Sequence, residues 1–534
     1  MSASTIRSFH LSAFSLFALC ALCGAKLFSA PPAITYLSPA GAQQGTTVEV
    51  TAAGLTEPTA RVWVSGKGVS AENVKGKLKV TVAKDAVPDV YWVRAHSNEG
   101  ASGLRPFIVG ALPEVAEKEP NDEFKKAQLI EFTSVVVNGK LEKNGDVDCF
   151  AVRLKKGQTL VASLEAHNAL RSPIDAMMQV LSADGFVLDE NNDFHGLDPQ
   201  IAFTAKKDGV HVVRVYAFPA TPDSTIRYFG SDASVYRLTL TTGPFGDHTT
   251  PLAVQNGTAA VETEGWNLSP ETRTLALTYG LPDASFARAA RRANSLRVRV
   301  EPHPTFGPAV SEPLKPPFSV TGRIEKAGTD TSFVMNAKKG QPLTIQVESR
   351  TVGLAVNPVV RVLDAEKKPL ARAEPPKINA DTALAFTPPA DGAYTVTVGD
   401  QYAGAGPRHA FLLRVLSEPD YDLTVPTDRF TVTPGTPTTI AVKVNRKLGF
   451  AKPVEVSAEG LPPGVKVAIV QPAKPDPNAV TLSVTANELL SVPFRLIGTV
   501  KDQPALTRYA RFAAPEFDEP LADLWLTVTA PPKK

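Results

Sequence analysis

Glu117, Glu119, Asn121 and Asp122 place four oxygen ligands within six residues, and Asp146 and Asp148 add two carboxylates about two dozen residues on. Hard cations such as Ca²⁺ take six to eight oxygen ligands in a flexible cage. On an extended segment side chains alternate, so Glu117, Glu119 and Asn121 project to one side, as do Asp146 and Asp148. The pattern predicts a calcium site made of these six residues. The competing reading is turn chemistry, because Asp and Asn also serve turns by bonding their own backbone.

Other residues offer weaker chemistry. Asp189-Glu190-Asn191-Asn192-Asp193 reads either as a second calcium or paired-carboxylate site, or as a solvated loop between strands. Asp283 to Asn294 reads as a helix with Asp283 as N-cap and a basic face of Arg288, Arg291 and Arg292. That face would suit an anionic polymer, or is simply solvated. Trp63 and Trp92 lie in strand-like runs and are expected in cores; Trp266 and Trp525 are further aromatic candidates for stacking on sugars. No His-Glu-x-x-His, Gly-x-Ser-x-Gly or Walker loop occurs, and the eight histidines show no metal-like spacing. No catalytic residue is assigned, and the chain is expected not to be an enzyme.

The elements that must hold the six ligands are strands. Runs such as Thr47-Val48-Glu49-Val50-Thr51 and Val210-His211-Val212-Val213-Arg214-Val215 alternate at period two between closely spaced turns. With 534 residues the chain is too long for one core and predicts about three to five domains. Its 56 basic and 54 acidic residues give a net charge of +2, so no global drive toward nucleic acid or an anionic membrane exists and no nucleic-acid partner is expected. Arg7 followed by the apolar run Leu11 to Cys23 reads as an export signal over residues 1–30, and no other stretch is apolar enough to cross a bilayer. Two of the three cysteines fall in that signal. The mature chain keeps Cys149, read as a small buried hydrophobe, and has no intramolecular disulfide.

Glu-x-Glu-x-Asn-Asp, Gly145-Asp146-x-Asp148-x-Phe150, Lys155-Lys156-Gly157-Gln158 and Asp208-Gly209 together resemble the bacterial pre-peptidase C-terminal domain, and are similar to the calcium-binding collagen-binding domains of clostridial collagenases. The resemblance covers residues 111–243. It implies a jelly-roll β-sandwich in which Glu117, Glu119, Asn121, Asp122, Asp146 and Asp148 occupy calcium-ligand positions. The family often has Tyr where this chain has Cys149.

The landmarks then recur. Gly139 and Gly322, Lys155 and Lys338, and Asp208 and Asp391 are each separated by 183 residues, so 302–418 is read as a second copy. At that spacing Asp146 maps to Thr329 and Asp148 to Thr331, and the second copy is expected to fold without calcium. Residues 31–110 resemble a TIG-like Ig fold, 244–301 a short Ig-like insert, and 419–534 a final Ig-like sandwich.

The expected fold class is therefore all-β, as tandem Ig-like and jelly-roll β-sandwiches. The expected function is a non-catalytic binding, adhesive or scaffolding protein that is secreted, periplasmic or on the cell surface, engaging an extracellular protein or polysaccharide. The alternative is an accessory or substrate-binding component of a secreted peptidase or polysaccharide-degrading system.

Overall fold

The computed structural model describes residues 30–222, 224, 227–281, 284–291, 293–471, 476–513 and 520–530. The export signal up to Ser29, the proposed cap Asp283, Arg292 and the tail from Pro531 lie outside these. The described chain is all-β, in tandem sandwiches; its two α-helices, His167–Leu170 and Pro270–Arg273, have four residues each. No helix among the described residues is long and apolar enough to cross a membrane.

The first unit pairs a four-stranded sheet with a five-stranded one. In one, Thr47–Ala52 and Lys77–Val82 are central; in the other, Val90–Ser97 and Arg105–Gly110 are. Lys77–Val82 alternates exposed Lys and Thr with buried Leu78, Val80 and Val82, the pattern of a strand with one wet face.

The next unit carries the candidate site. One five-stranded sheet runs in the order Glu114–Ala116, Ser134–Lys140, Val235–Thr241, Thr159–Glu165, Gln200–Thr204. The facing sheet runs Gln128–Leu129, Asp148–Leu154, Gly209–Pro219, Ile174–Ser182, Val187–Asn191. Val135, Val137, Phe150, Val152, Leu160, Met178, Val213 and Leu238 fill the space between them.

Residues 305–416 repeat this order. Thr305–Phe306, Phe318–Arg323, Ala410–Leu416, Leu343–Glu348 and Thr382–Phe386 form one sheet; Thr331–Ala337, Gly392–Asp400, Pro358–Leu363 and Pro369–Ala373 form the other. The recurring landmarks make the same bonds in both copies. Lys156 N–H donates to Asp208 (2.7 Å) and Lys339 N–H to Asp391 (2.6 Å). Gly157 and Gly340 take positive φ (83° and 74°), the left-handed conformation their turns require.

Between the copies, strands from 245 to 301 build one six-stranded sheet. Here the expected helix is corrected. Phe286–Ala290 is a strand paired with Ser295–Glu301, because Ala287 and Ala289 bury themselves at period two. The expected basic face is not presented: Arg288 bonds Asp89 (3.1 Å), and Arg291 is buried, donating to Thr263 Oγ1 (2.6 Å) and the Thr272 carbonyl. The acidic run is likewise no plain loop, since Val187–Asn191 is an edge strand.

The last unit joins Asp420–Val425, Thr438–Lys447, Leu490–Thr499 and Leu524–Val528 around a core of Tyr421, Val442, Leu482, Leu496 and Leu526. Trp63, expected in its own core, is half-buried and packs edge-on against Trp525 of this last unit (5.8 Å).

Candidate metal centre

The six predicted residues converge at one end of the first repeat. Strand Glu114–Ala116 runs parallel to Ser134–Lys140, and Glu117 continues it: its N–H reaches the Asn138 carbonyl (2.9 Å) and its carboxylate accepts the Lys140 N–H (2.7 Å). The chain then turns. Asn121 N–H donates to Glu119 (2.9 Å), and Asn121 Nδ2 points at Glu117 Oε1 (3.4 Å).

From the other side, the turn after Lys140 uses Gly145 at φ 90° to bring Asp146 back, where its carboxylate accepts the Glu142 N–H. Asp148 opens strand Asp148–Leu154 and accepts the Tyr236 hydroxyl (2.6 Å).

Two carboxylate triplets result. Oxygens of Glu117, Glu119 and Asp148 lie within 4.8 Å of one another, as do those of Glu119, Asp122 and Asp146. Glu119 belongs to both. Asn121, Asp146 and Asp148 are buried, Glu117 is half-buried, and Glu119 and Asp122 face solvent. The site is thus a shaft, open at one end and closed by Asp148 and Tyr236 at the other.

Its electrostatics are unbalanced. Burial, with Glu117 alongside, pushes the Asp148 carboxyl up to about 11. Burial also raises Glu117, Asp146 and Glu119, and raises Tyr236 well above its usual range with Asp148 beside it. These groups favour either protons or a cation in their midst. With the carboxylates ionised, Asn121 Oδ1 and Asp148 Oδ1 are buried acceptors with no hydrogen-bond partner; without a cation, a proton shared with Glu117 is what would satisfy Asp148. An unsatisfied buried acceptor costs about 1–3 kcal/mol, so two in one shaft call for a compensating positive ligand. Hard oxygen donors of this number and kind fit Ca²⁺ better than a thiolate- or imidazole-seeking metal.

The turn-chemistry alternative accounts for part of the set, since Glu117, Glu119 and Asp146 each accept a backbone N–H. It does not account for the orphaned oxygens. Nor does it account for the second copy, where Thr329 Oγ1 bonds the Lys326 carbonyl (2.6 Å) and Thr331 Oγ1 the Arg323 carbonyl (2.6 Å), closing the same turn without carboxylates. Asp330 turns outward there to Arg361 (2.5 Å) and Thr397 (3.0 Å).

Sequence reasoning missed Tyr236. The signal was Gly139: a Cβ there would stand 2.2 Å from the Tyr236 ring, so the glycine exists to let an aromatic ring cross its strand. Gly322 does the same beneath Phe411, which has no hydroxyl and faces no carboxylate cage. Asp198 and Asp381, also 183 residues apart, were missed as well. Each gathers the backbone N–H groups of one turn, at residues 166–168 and 349–351. Cys149 is buried as expected; burial pushes its thiol up to about 12, and it rests 3.7 Å from the Asp122 carbonyl.

The acidic run Asp189 to Asp193 forms no such cage among the described residues. Glu190 accepts Gln179 Nε2 (3.1 Å), and Asn191 accepts the Gln200 N–H (3.1 Å). The residue after it, Phe194, lies under Arg408 (3.6 Å), joining the two copies.

No family model matches the chain. A probable subtilase-type serine protease of Deinococcus radiodurans is 28% identical over 151 residues, which is 28% of this chain and 20% of that protein. The chain thus matches one fifth of that relative's length. Among solved structures, surface layer protein SbsC, domains 1–6, is 12% identical with a TM-score of 0.17, covering 95% of this chain and 55% of that one. The N-terminal eight Ig domains of Down Syndrome Cell Adhesion Molecule are 11% identical with a TM-score of 0.14, covering 91% of this chain and 62% of that one. Likeness at that level carries no functional argument.

Proposed function

We propose that this chain is an exported, non-catalytic, multi-domain β-sandwich protein that binds or scaffolds an extracellular protein or polysaccharide, with calcium held in its first repeat. In this reading 111–243 and 302–418 are two pre-peptidase C-terminal-like sandwiches, flanked and separated by Ig-like units at 31–110, 244–301 and 419–534. The single observation that carries the calcium reading is the pair of orphaned oxygens on Asn121 and Asp148 inside the double carboxylate cage. Glu117, Glu119 and Asp148 would hold one ion, and Glu119, Asp122 and Asp146 a second, with Asn121 supplying a neutral oxygen. Bound Ca²⁺ would neutralise the cage charge and stabilise the folded state that presents it. The chain's own residues do the remaining work: the Lys140 N–H orients Glu117, the Glu142 N–H orients Asp146, and Tyr236 orients Asp148.

A second reading is favoured by the partial match to a subtilase-type protease: these units accompany a secreted peptidase and present its substrate. Binding of the mature chain to collagen, chitin and cell-wall polymers, with calcium and with chelator, tests the first reading. Retention on none of these, together with co-purification with a secreted peptidase, would select the second.

A further inference from the structure

The first and last units of the chain touch, across 334 residues of sequence. Arg94 Nη2 bonds Asp428 Oδ2, and the two side chains are 1% and 9% exposed. Trp525, itself buried and donating to Ser491 (2.9 Å), is the centre of the contact. Trp63 meets it edge-on at 5.8 Å, His96 lies 4.7 Å from it, and the Arg94 guanidinium stands 5.5 Å away. Arg429 adds a bond to the Ala101 carbonyl (3.0 Å).

This contact is incompletely satisfied. Arg94 Nε and Nη1 and His96 Nδ1 are buried without hydrogen-bond partners. His96 pairs across its sheet with Arg61, and the charges that act on it are Arg61 and Arg94, both positive. On the last unit, the charges facing Arg94 are Asp428, Arg429 and Asp523; Asp523 is also held by Arg495 (2.7 Å). Among the described residues, Asp428 is therefore the carboxylate committed to this cationic cluster.

We propose that the contact between the first and last units is an acid-released clasp, opened by protonation of His96. An imidazolium at that point would be a third positive charge beside Arg61 and Arg94, desolvated between two units that water would otherwise separate. Release would free the last unit to move about the short 417–419 linker between strands ending at Leu416 and starting at Asp420. Burial first, then Arg61 and Arg94, lower His96 from the ordinary 6.5 to about 4. The sign follows: the closed state is full-strength above the free value of 6.5 and weakens as pH falls toward 4. If opening restores the free value, the open-to-closed ratio rises up to about thirty-fold between pH 8 and pH 5. The clasp shares no residue with the carboxylate cage, and calcium is kept present throughout the test.

The test is distance measurement between spin labels on the full mature chain carrying Lys79→Cys in the first unit and Lys466→Cys in the last, both exposed strand positions. A single short distance at pH 8, joined reversibly by a long one at pH 5, is expected. His96→Gln should stay closed at both pH values, and Asp428→Asn should open already at pH 8. Arg61→Gln, an exposed position, should shift opening to lower pH. An unchanged distance at pH 5 in the parent chain overturns the clasp, as does an Asp428→Asn chain that stays closed. Opening of His96→Gln at the parent's pH, or an unmoved midpoint in Arg61→Gln, overturns the role of His96.

Discussion

The Tyr236 hydroxyl donates to Asp148 Oδ2 at 2.6 Å, from a ring that lies across Gly139. One landmark of the repeat thus serves two purposes. In both copies the glycine seats an aromatic ring, Tyr236 or Phe411, and only the first copy adds the hydroxyl that reaches the carboxylate cage. Tyr236→Phe should therefore fold, since the second copy already uses Phe411 at the paired position. It takes the hydroxyl from buried Asp148 Oδ2 and leaves Glu117 as that carboxyl's neighbour, which costs about 1–3 kcal/mol. The expected result is a lower unfolding temperature for the first repeat's transition in chelator, largely restored by calcium. An unchanged transition in chelator would show that the hydroxyl contributes nothing.

Gly139→Ala should do more harm than Tyr236→Phe. The added Cβ would meet the tyrosine ring at 2.2 Å, where the strand is paired on both sides. Overpacking of this kind costs about 1–3 kcal/mol, and moving the ring also pulls the hydroxyl from Asp148. Denaturant titration with and without calcium checks both consequences.

Much of this was legible in the sequence because the signals are local. Alternation at period two marks the strands, and Gly145-Asp146-Val147-Asp148 announces a turn entering a strand. The spacing of 183 residues identified the repeat because its turns depend on their own residues, such as Lys156 with Asp208. What was not legible depends on long-range pairing. Phe286 to Ala290 carries small, helix-compatible residues, and only its pairing with Ser295–Glu301 makes it a strand. Tyr236 lies 88 residues from Asp148, so no spacing rule connects them. Trp63 reads as a core residue because nothing local reveals the last unit against it.

Acid should weaken the joint that follows the six-stranded sheet. Glu301 is fully buried, and although burial alone pushes its carboxyl up, Arg414 and Arg299 outweigh that and hold it low. A carboxyl held low in the fold contributes stability that is present above its unfolded value and lost as pH falls below it. Arg414 is shared with Glu348 (3.1 Å), so the cluster binds the inserted sheet to the second repeat. Glu301→Gln leaves Arg414 and Arg299 to share Glu348 alone and should cost about 1–3 kcal/mol. Calorimetry should show the second repeat's transition fall and lose part of its acid sensitivity; an unaltered pH profile would contradict this.

The metal reading gives the most discriminating prediction. Asp146 sits in the cage with Glu119 and Asp122 and is held by the Glu142 N–H, so Asp146→Ala removes a ligand without emptying a hydrophobic core. The parent chain should gain about 2.7 kcal/mol in the first repeat when calcium is at one hundred times its dissociation constant. Because several units unfold separately, the gain must be read on one calorimetric transition and not on a single global midpoint. The second repeat, with Thr329 and Thr331 closing the turn by their own hydroxyls, should not respond. Asp146→Ala should abolish the first repeat's gain while leaving the other transitions in place. Calcium affinity should also fall with pH, because protons compete for Glu117, Glu119, Asp146 and Asp148, all raised by burial. A first repeat that melts at one temperature in calcium and in chelator would return these acids to the role of turn residues.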